Sequence, residues 1–368
     1  MFFRYQSSTI SFICAMKKIF LSVLCIGFLG ADVWAQLGGR SVFSFLDLSS
    51  SARVASLGGM FLSVHDNDPN PATVNPSLLN PTMSNMVSFS GVKYPADISG
   101  GDFSYTRDFE RLGTFQAAVH YINYGKFNGT DIYGNINGEF TAADYSVQAG
   151  WGYSMNKYFT VGADLKFIYS HLETYSSTGI AGDAGVTFVT DSAGKFTASL
   201  LARNIGTQLK KYNENAEREP LVPEIDVAVS LKFRHAPFRI VATYRHLEKY
   251  DFTYLNPITA QETDPITGKK TVQEITFFDR FSRHFIVGTE LVFSKNFQLR
   301  FAYNFQRRAE MKLENAAGLT GMSLGFGLKV NRFYLAYGYA AYHLAGGTSH
   351  LTLAVNPSDF FRTKASAE

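Results

Sequence analysis

The 368-residue chain is long enough for one large domain or two, and it is rich in aromatic residues, with 33 Phe and 20 Tyr beside 31 Gly. Charged residues are 18% of the total and the formal net charge is only +3, which gives no nucleic-acid signal and no expectation of a nucleic-acid partner. A mean hydropathy of −0.05 excludes a bundle of membrane helices, each needing about 20 apolar residues in a row, and fits β-strands with one apolar face.

Lys17 and Lys18 follow Met16, an apolar run covers Ile19 to Leu29, and Val33-Trp34-Ala35 suits cleavage before Gln36. Residues 1–35 are therefore expected to be an export signal, with Met16 as the natural start. Cys25 lacks the preceding Gly or Ala of a lipoprotein acceptor, and Cys14 and Cys25 both fall in this signal. The exported chain then has no thiol for a disulfide or a Cys-ligated metal.

Residues 36–82 show no strand alternation. Ser51-Ala52-Arg53 leads into a short helix that Gly58-Gly59 terminate, and Asn70-Pro71, Asn75-Pro76 and Asn80-Pro81 demand turns. The segment is too apolar for a free tail and is expected to plug a barrel. Its charges Arg53 and Asp66 then need partners on the wall, such as Asp164, Lys166, Asp226 or Arg300. Asp66, Asp68 and Asn70 have calcium-loop spacing, but Pro71 and Ser77 stand where that loop needs Gly and Glu, so an Asx-rich turn is expected.

From Met86 the period becomes two. Tyr145, Val147, Ala149, Trp151 and Tyr153 oppose Asp144, Ser146, Gln148, Gly150 and Gly152; then Val161, Ala163, Leu165 and Phe167 oppose Gly162, Asp164 and Lys166. Fourteen such runs are expected, near 86–93, 99–108, 112–123, 139–155, 158–171, 179–190, 195–204, 223–234, 238–248, 281–293, 297–308, 317–329, 332–342 and 349–355. Short turns follow the even strands, and longer connections such as 124–138, 205–222 and 249–280 follow odd ones. That parity, with a charged and Gly-rich inner face, predicts an all-β, fourteen-stranded antiparallel outer-membrane barrel over 83–356, with its short turns periplasmic. A tail of 357–368 follows.

The loop 249–280 carries the candidate docking residues Tyr250, Phe252, Tyr254, Lys269, Lys270 and Phe277. Thr267-Gly268-Lys269-Lys270 is expected to turn a ribbon whose aromatic flanks give contact area and whose lysines give steering charge. Gly321-Met322-Ser323-Leu324-Gly325 matches a nucleophile elbow but lies mid-strand, where that motif has no turn to work with. His171 with Glu173 and His246 with Glu248 give too few ligands for structural zinc and are expected at the solvated rim. No catalytic, cofactor or metal site is expected.

Ser51-Ala52-Arg53-Val54-Ala55-Ser56-Leu57-Gly58-Gly59, Asn75-Pro76-Ser77-Leu78-Leu79-Asn80-Pro81, His120 to Phe127 and Gly138 to Tyr145 resemble the PorQ family. The likeness covers nearly the whole exported chain. The family consists of outer-membrane proteins of the Bacteroidetes type IX secretion system, related to PorV and more distantly to FadL-type barrels with an N-terminal hatch. The resemblance implies a non-enzymatic part in a surface attachment complex with PorU, PorV and PorZ, tethering PorZ while cargo is linked to lipopolysaccharide. It also implies contact with outer-membrane lipid. The alternative is a FadL-like transporter of a hydrophobic small molecule, which needs an apolar pocket reached by a continuous path.

Overall fold

The computed structural model describes residues 41–361 except 191–193, 216, 235, 252, 254–260, 264–269, 273–275, 313–317 and 344–345. The expected export signal and the end of the tail lie outside the described residues. Fourteen antiparallel strands close into one barrel: β1 (Met86–Lys93), β2 (Ser99–Asp108), β3 (Thr114–Thr130), β4 (Ile136–Ser154), β5 (Phe159–Leu172), β6 (Tyr175–Val189), β7 (Phe196–Lys210), β8 (Glu224–Lys232) and β9 (Phe238–Tyr244), then β12 (Phe285–Val292), β13 (Phe297–Asn304), β14 (Met322–Val330), β15 (Phe333–His343) and β16 (Gly346–Val355). The short β10 (Gln261–Thr263) and β11 (Lys270–Val272) pair with each other apart from the wall. Neighbours are consecutive strands except at β9–β12, which β10 and β11 separate in the chain, and at the closure, where β1 meets β16 with Val87 opposite Val355. Closure removes the sheet edge, as lipid requires.

The alternation decides which face each side chain takes. Along β5, Thr160, Gly162, Asp164, Lys166, Ile168 and Ser170 are buried, while Leu165, Phe167 and Tyr169 stand exposed on the outside. Similar apolar, aromatic outer rows recur around the barrel, from Phe89 and Phe103 to Phe326 and Leu351. No helix among the described residues is long and apolar enough to cross a membrane. A closed barrel with a continuous apolar outer face and a polar inner one is an outer-membrane protein.

Strand limits differ from expectation in several places. The connection expected at 124–138 is mostly ribbon, since β3 and β4 continue pairing to Thr130 and Ile136 beyond a bulge between Asn123 and Lys126. β5 and β6 extend to a two-residue turn, and β7 continues to Lys210. In the other direction, 281–284 are not strand: Phe277–Ser282 form a helix capped by the Thr276 hydroxyl. Phe305–Met311 form another, capped by the Asn304 side chain, so β13 stops at Asn304. In both cases a side-chain cap supplies the first turn's missing acceptor and outweighs the apolar alternation.

Residues 41–84 pack against the inner face of the wall. They comprise a 3-10 turn (Ser44–Asp47), a helix (Ala52–Ser56) and three 3-10 turns that each begin with Pro: Pro71–Thr73, Pro76–Leu78 and Pro81–Met83. Asn75 and Asn80 cap the last two. The apolar core lies here rather than in the wall. Val54, Leu57, Phe61, Val64, Leu78, Leu79 and Met83 form one cluster, to which the wall contributes Val241. Phe43 and Phe45 meet Ile122, Ile168 and Ala181 in another. At the chain's other end, the helix Ser358–Phe361 sets Phe360 against Phe333 of β15.

Candidate functional site

The inner segment meets the wall through two groups of charges. The first is built on Arg53, which the helix Ala52–Ser56 carries. Ser51 caps that helix by accepting from Val54 N at 3.4 Å, and Ala52 N donates to Thr352 Oγ1 of β16 at 2.9 Å. The guanidinium is buried and donates through Nε to Glu290 Oε1 at 2.9 Å and through Nη2 to Glu290 Oε2 at 3.1 Å. It also donates to Asp66 Oδ2 at 2.7 Å and Asp68 Oδ2 at 3.1 Å, and lies 5.0 Å over the Phe61 ring. Glu290, which is 0% exposed, takes Arg239 at 2.7 Å and Arg300 Nε at 2.9 Å as well. Arg300 is held in turn by Gln298 and the Tyr334 hydroxyl, each at 2.6 Å. Three guanidiniums thus face three carboxylates, which is what buried charge requires. Burial works against the charged form of Asp66, but Arg53 outweighs it and leaves its carboxyl below the ordinary range.

The sequence expectation is corrected here. Arg53 does pair with the wall, but with Glu290 rather than with the residues named. Of the expected partners, Arg300 belongs to the same cluster through Glu290, Asp164 accepts from Gln148 at 2.6 Å, and Lys166 binds Asp183 at 2.6 Å. Asp226 lies in the second group.

That second group is near the long-loop end. Asp47 of the inner segment binds Arg203 of β7 and accepts from Asn204 Nδ2 at 3.2 Å. Arg203 donates from Nε to Glu224 at 3.0 Å, with Asp226 3.4 Å away, and Arg245 donates to Glu224 at 2.9 Å. His246 sits between Glu224 at 3.3 Å and Glu248 at 2.9 Å, buried rather than on the solvated rim.

The other motif residues each have a contact. Gly58 (φ 92°) and Gly59 (φ 95°) end the helix, and a Cβ on Gly58 would lie 2.3 Å from Ile286 Cγ2. The Gly58 carbonyl accepts from Asn304 at 3.0 Å and Arg307 at 3.2 Å. Asn75 donates to Leu62 O at 2.8 Å and accepts from Ser77. Pro76 lies so close to the wall that a Cβ on Gly162 would come within 2.3 Å of its carbonyl carbon. Asp66 and Asp68 also accept from backbone N–H two residues on, making Asx turns. Ser323, expected mid-strand, is the second residue of β14, and it accepts from Arg307 at 3.3 Å.

The expected docking residues are spread. Tyr250 is 73% exposed and Phe277, in the helix Phe277–Ser282, 65% exposed. Lys270 opens β11, whose pairing with β10 brackets residues 264–269. Phe252, Tyr254 and Lys269 lie outside the described residues. The aromatic flank at 277–282 is therefore helical and does not continue β12 upward. Its Phe281 joins Tyr244, Phe285 and a buried His284 that stacks on Tyr244 at 4.7 Å. Reasoning from sequence missed His284 and Glu290. Glu290 had one signal, as the acid on the inward-facing row of its strand.

No protein-family model matches the chain, and no curated protein matches it. Among solved structures the chain is similar to a CymD monoaromatic hydrocarbon channel, with 12% identity over 85% of this chain and 97% of the other, at a TM-score of 0.46. It is similar to the toluene transporter TodX of P. putida at 11% identity, covering 84% and 99%, with a TM-score of 0.47. A FadL homologue of Pseudomonas aeruginosa gives 10% identity, 84% and 98% coverage and a TM-score of 0.47.

Proposed function

We propose that the protein is a plugged outer-membrane barrel that works as a non-enzymatic scaffold, holding a partner protein at the cell surface. The observation that carries this reading is the way the lumen is filled. Residues 41–84 are joined to the wall by two ion pairs, the buried Arg53–Glu290 and the partly exposed Asp47–Arg203, an arrangement suited to a plug that stays in place. Two cavities border this segment: one of about 50 Å³ among Leu46, Met60, His120 and Arg203, and one of about 400 Å³ lined chiefly by charged groups. The larger lacks the largely apolar lining that a hydrophobic ligand needs, and the smaller lacks the room for one. The resemblance of the inner-segment motifs to the PorQ family supplies the setting. In that setting the partner is a PorZ-like surface protein, with PorU, PorV and lipopolysaccharide nearby, and the exposed Tyr250 and Phe277 flank the docking loop.

A second reading, a FadL-like transporter of a hydrophobic small molecule, takes its substrate class from the names of the solved barrels above. One experiment separates the two. The chain is isolated from native outer membranes beside a variant in which Thr253–Thr276 is replaced by a short Gly-Ser linker, and co-purifying proteins are identified. The scaffold reading expects one surface protein with the parent, released into the medium by the variant. Retention at the parental level moves docking to other loops. Toluene uptake by vesicles holding the parent, with no co-purifying protein, establishes the transporter.

A further inference from the structure

The cavity of about 400 Å³ opens at the short-turn end, and its charge is unbalanced. Arg53, Arg239, Asp66, Asp68 and Glu290 along its inner side are paired with one another. The outer side is different. Lys232 ends β8, Lys295 and Arg332 occupy the turns before β13 and β15, and Lys329 lies near the end of β14. Among the described residues no carboxylate pairs with any of these four, and the contact of Arg332 is the Phe360 ring at 4.9 Å. Asp359 is the one acid at this rim, so four cations stand against a single carboxylate. A further donor completes the picture. Arg239 is 4% exposed and lines the cavity, and while its Nη1 holds Glu290 at 2.7 Å, its Nε has no hydrogen-bond partner among the described residues. Buried donors are nearly always satisfied, so Arg239 backs the cationic mouth with hydrogen-bonding capacity that its pairing with Glu290 leaves over.

We propose that this mouth binds a small phosphate-bearing anion. A single carboxylate brings one charge and satisfies one fork, whereas a phosphate group brings several acceptor oxygens and suits flexible lysines converging as point charges with an Arg behind them. The volume falls within the range of small-molecule sites. Two sources share this chemistry: a soluble phosphate compound, or the head group of a phospholipid in the adjacent leaflet.

The test uses the mature chain, folded in an uncharged detergent and titrated by calorimetry with inorganic pyrophosphate and, separately, with glycerophosphoglycerol. Saturable binding of at least one, with a Kd of about 1 mM or tighter, is the expected result. The double variant Lys295→Gln/Lys329→Gln alters exposed side chains at the rim and should bind about tenfold or more weakly. Lys157→Gln, at a different short turn, should bind as the parent does. Tighter pyrophosphate binding assigns a soluble ligand, and tighter glycerophosphoglycerol binding a lipid head group. The proposal fails if the folded parent binds neither, if the double variant binds unchanged, or if Lys157→Gln loses as much.

Discussion

The two charged groups that fasten the inner segment differ in which side supplies the anion. At the long-loop end the segment offers a carboxylate, Asp47, to wall cations led by Arg203. Nearer the short turns it offers a guanidinium, Arg53, to the wall carboxylate Glu290. They also differ in wetness. Asp47 is 40% exposed at its side chain, whereas Glu290 is 0% exposed and answers three guanidiniums at once. Similar ion pairs in these two places therefore carry unequal weight. The dry pair cannot be half-removed without stranding a buried charge, while the wet one has water to replace a lost partner. The opposite polarity also means that a reversed segment would set like charges together at both ends, which discriminates against the wrong packing.

The sharpest test of this contrast first fixes which end faces which compartment, and its outcome is all or none. With both cysteines inside the expected export signal, single cysteines can be placed cleanly. Asn213→Cys, in the long connection after β7, whose Arg203 holds Asp47, should react with an impermeant thiol reagent on intact cells, and Lys295→Cys should react only once the outer membrane is opened. The opposite pattern inverts the barrel. Next in size is Arg53→Met. It leaves Glu290, Asp66 and Asp68 without their central cation and should lower stability by about 3–5 kcal/mol, read from denaturant unfolding through Trp151 fluorescence. A loss under about 1 kcal/mol would show that the cluster is wetter than its burial implies.

Asp47→Asn should cost far less, about 1 kcal/mol at most, because solvent already screens that pair. If the two variants cost the same, the contrast between the ends is lost. The smallest effect is on pH. The Asp66 carboxyl is lowered in the folded chain, so its contribution is complete above the ordinary carboxylate range and disappears as pH falls through the lowered folded value. Stability should therefore decline as pH falls below about 4, and the decline should be shallower in Asp66→Asn.

The wall was readable because each strand answers to its own residues. Leu165 and Phe167 point outward while Asp164 and Lys166 point inward for reasons that need no distant partner. The Asn-Pro turns and the Gly58-Gly59 stop were local in the same sense. The Arg53–Glu290 pair was not, since 237 positions separate its members and nothing near either one names the other. Arg300 and Asp226 were recognised as inward charges, yet their pairings follow from barrel stagger and from how deep the segment sits. Strand ends failed where a cap competes with alternation. Thr276 three residues before Asp279, and Asn304 before Phe305-Gln306-Arg307, are helix-start signals that the run of aromatic residues concealed.

The uneven strand lengths have a consequence of their own. β3 and β4 are 17 and 19 residues long, whereas β9 and β12 are 7 and 8. Beyond Asn123, β3 continues for seven residues to Thr130, roughly 20 Å at the usual rise per residue. Among the described residues the wall strands are thus uneven, with a stiff two-stranded fence where β3 and β4 continue. A visitor settling on such a rim cannot rotate freely about the barrel axis. It meets the β3–β4 ribbon at one bearing, so a partner docked on this face as proposed above would be held to one heading.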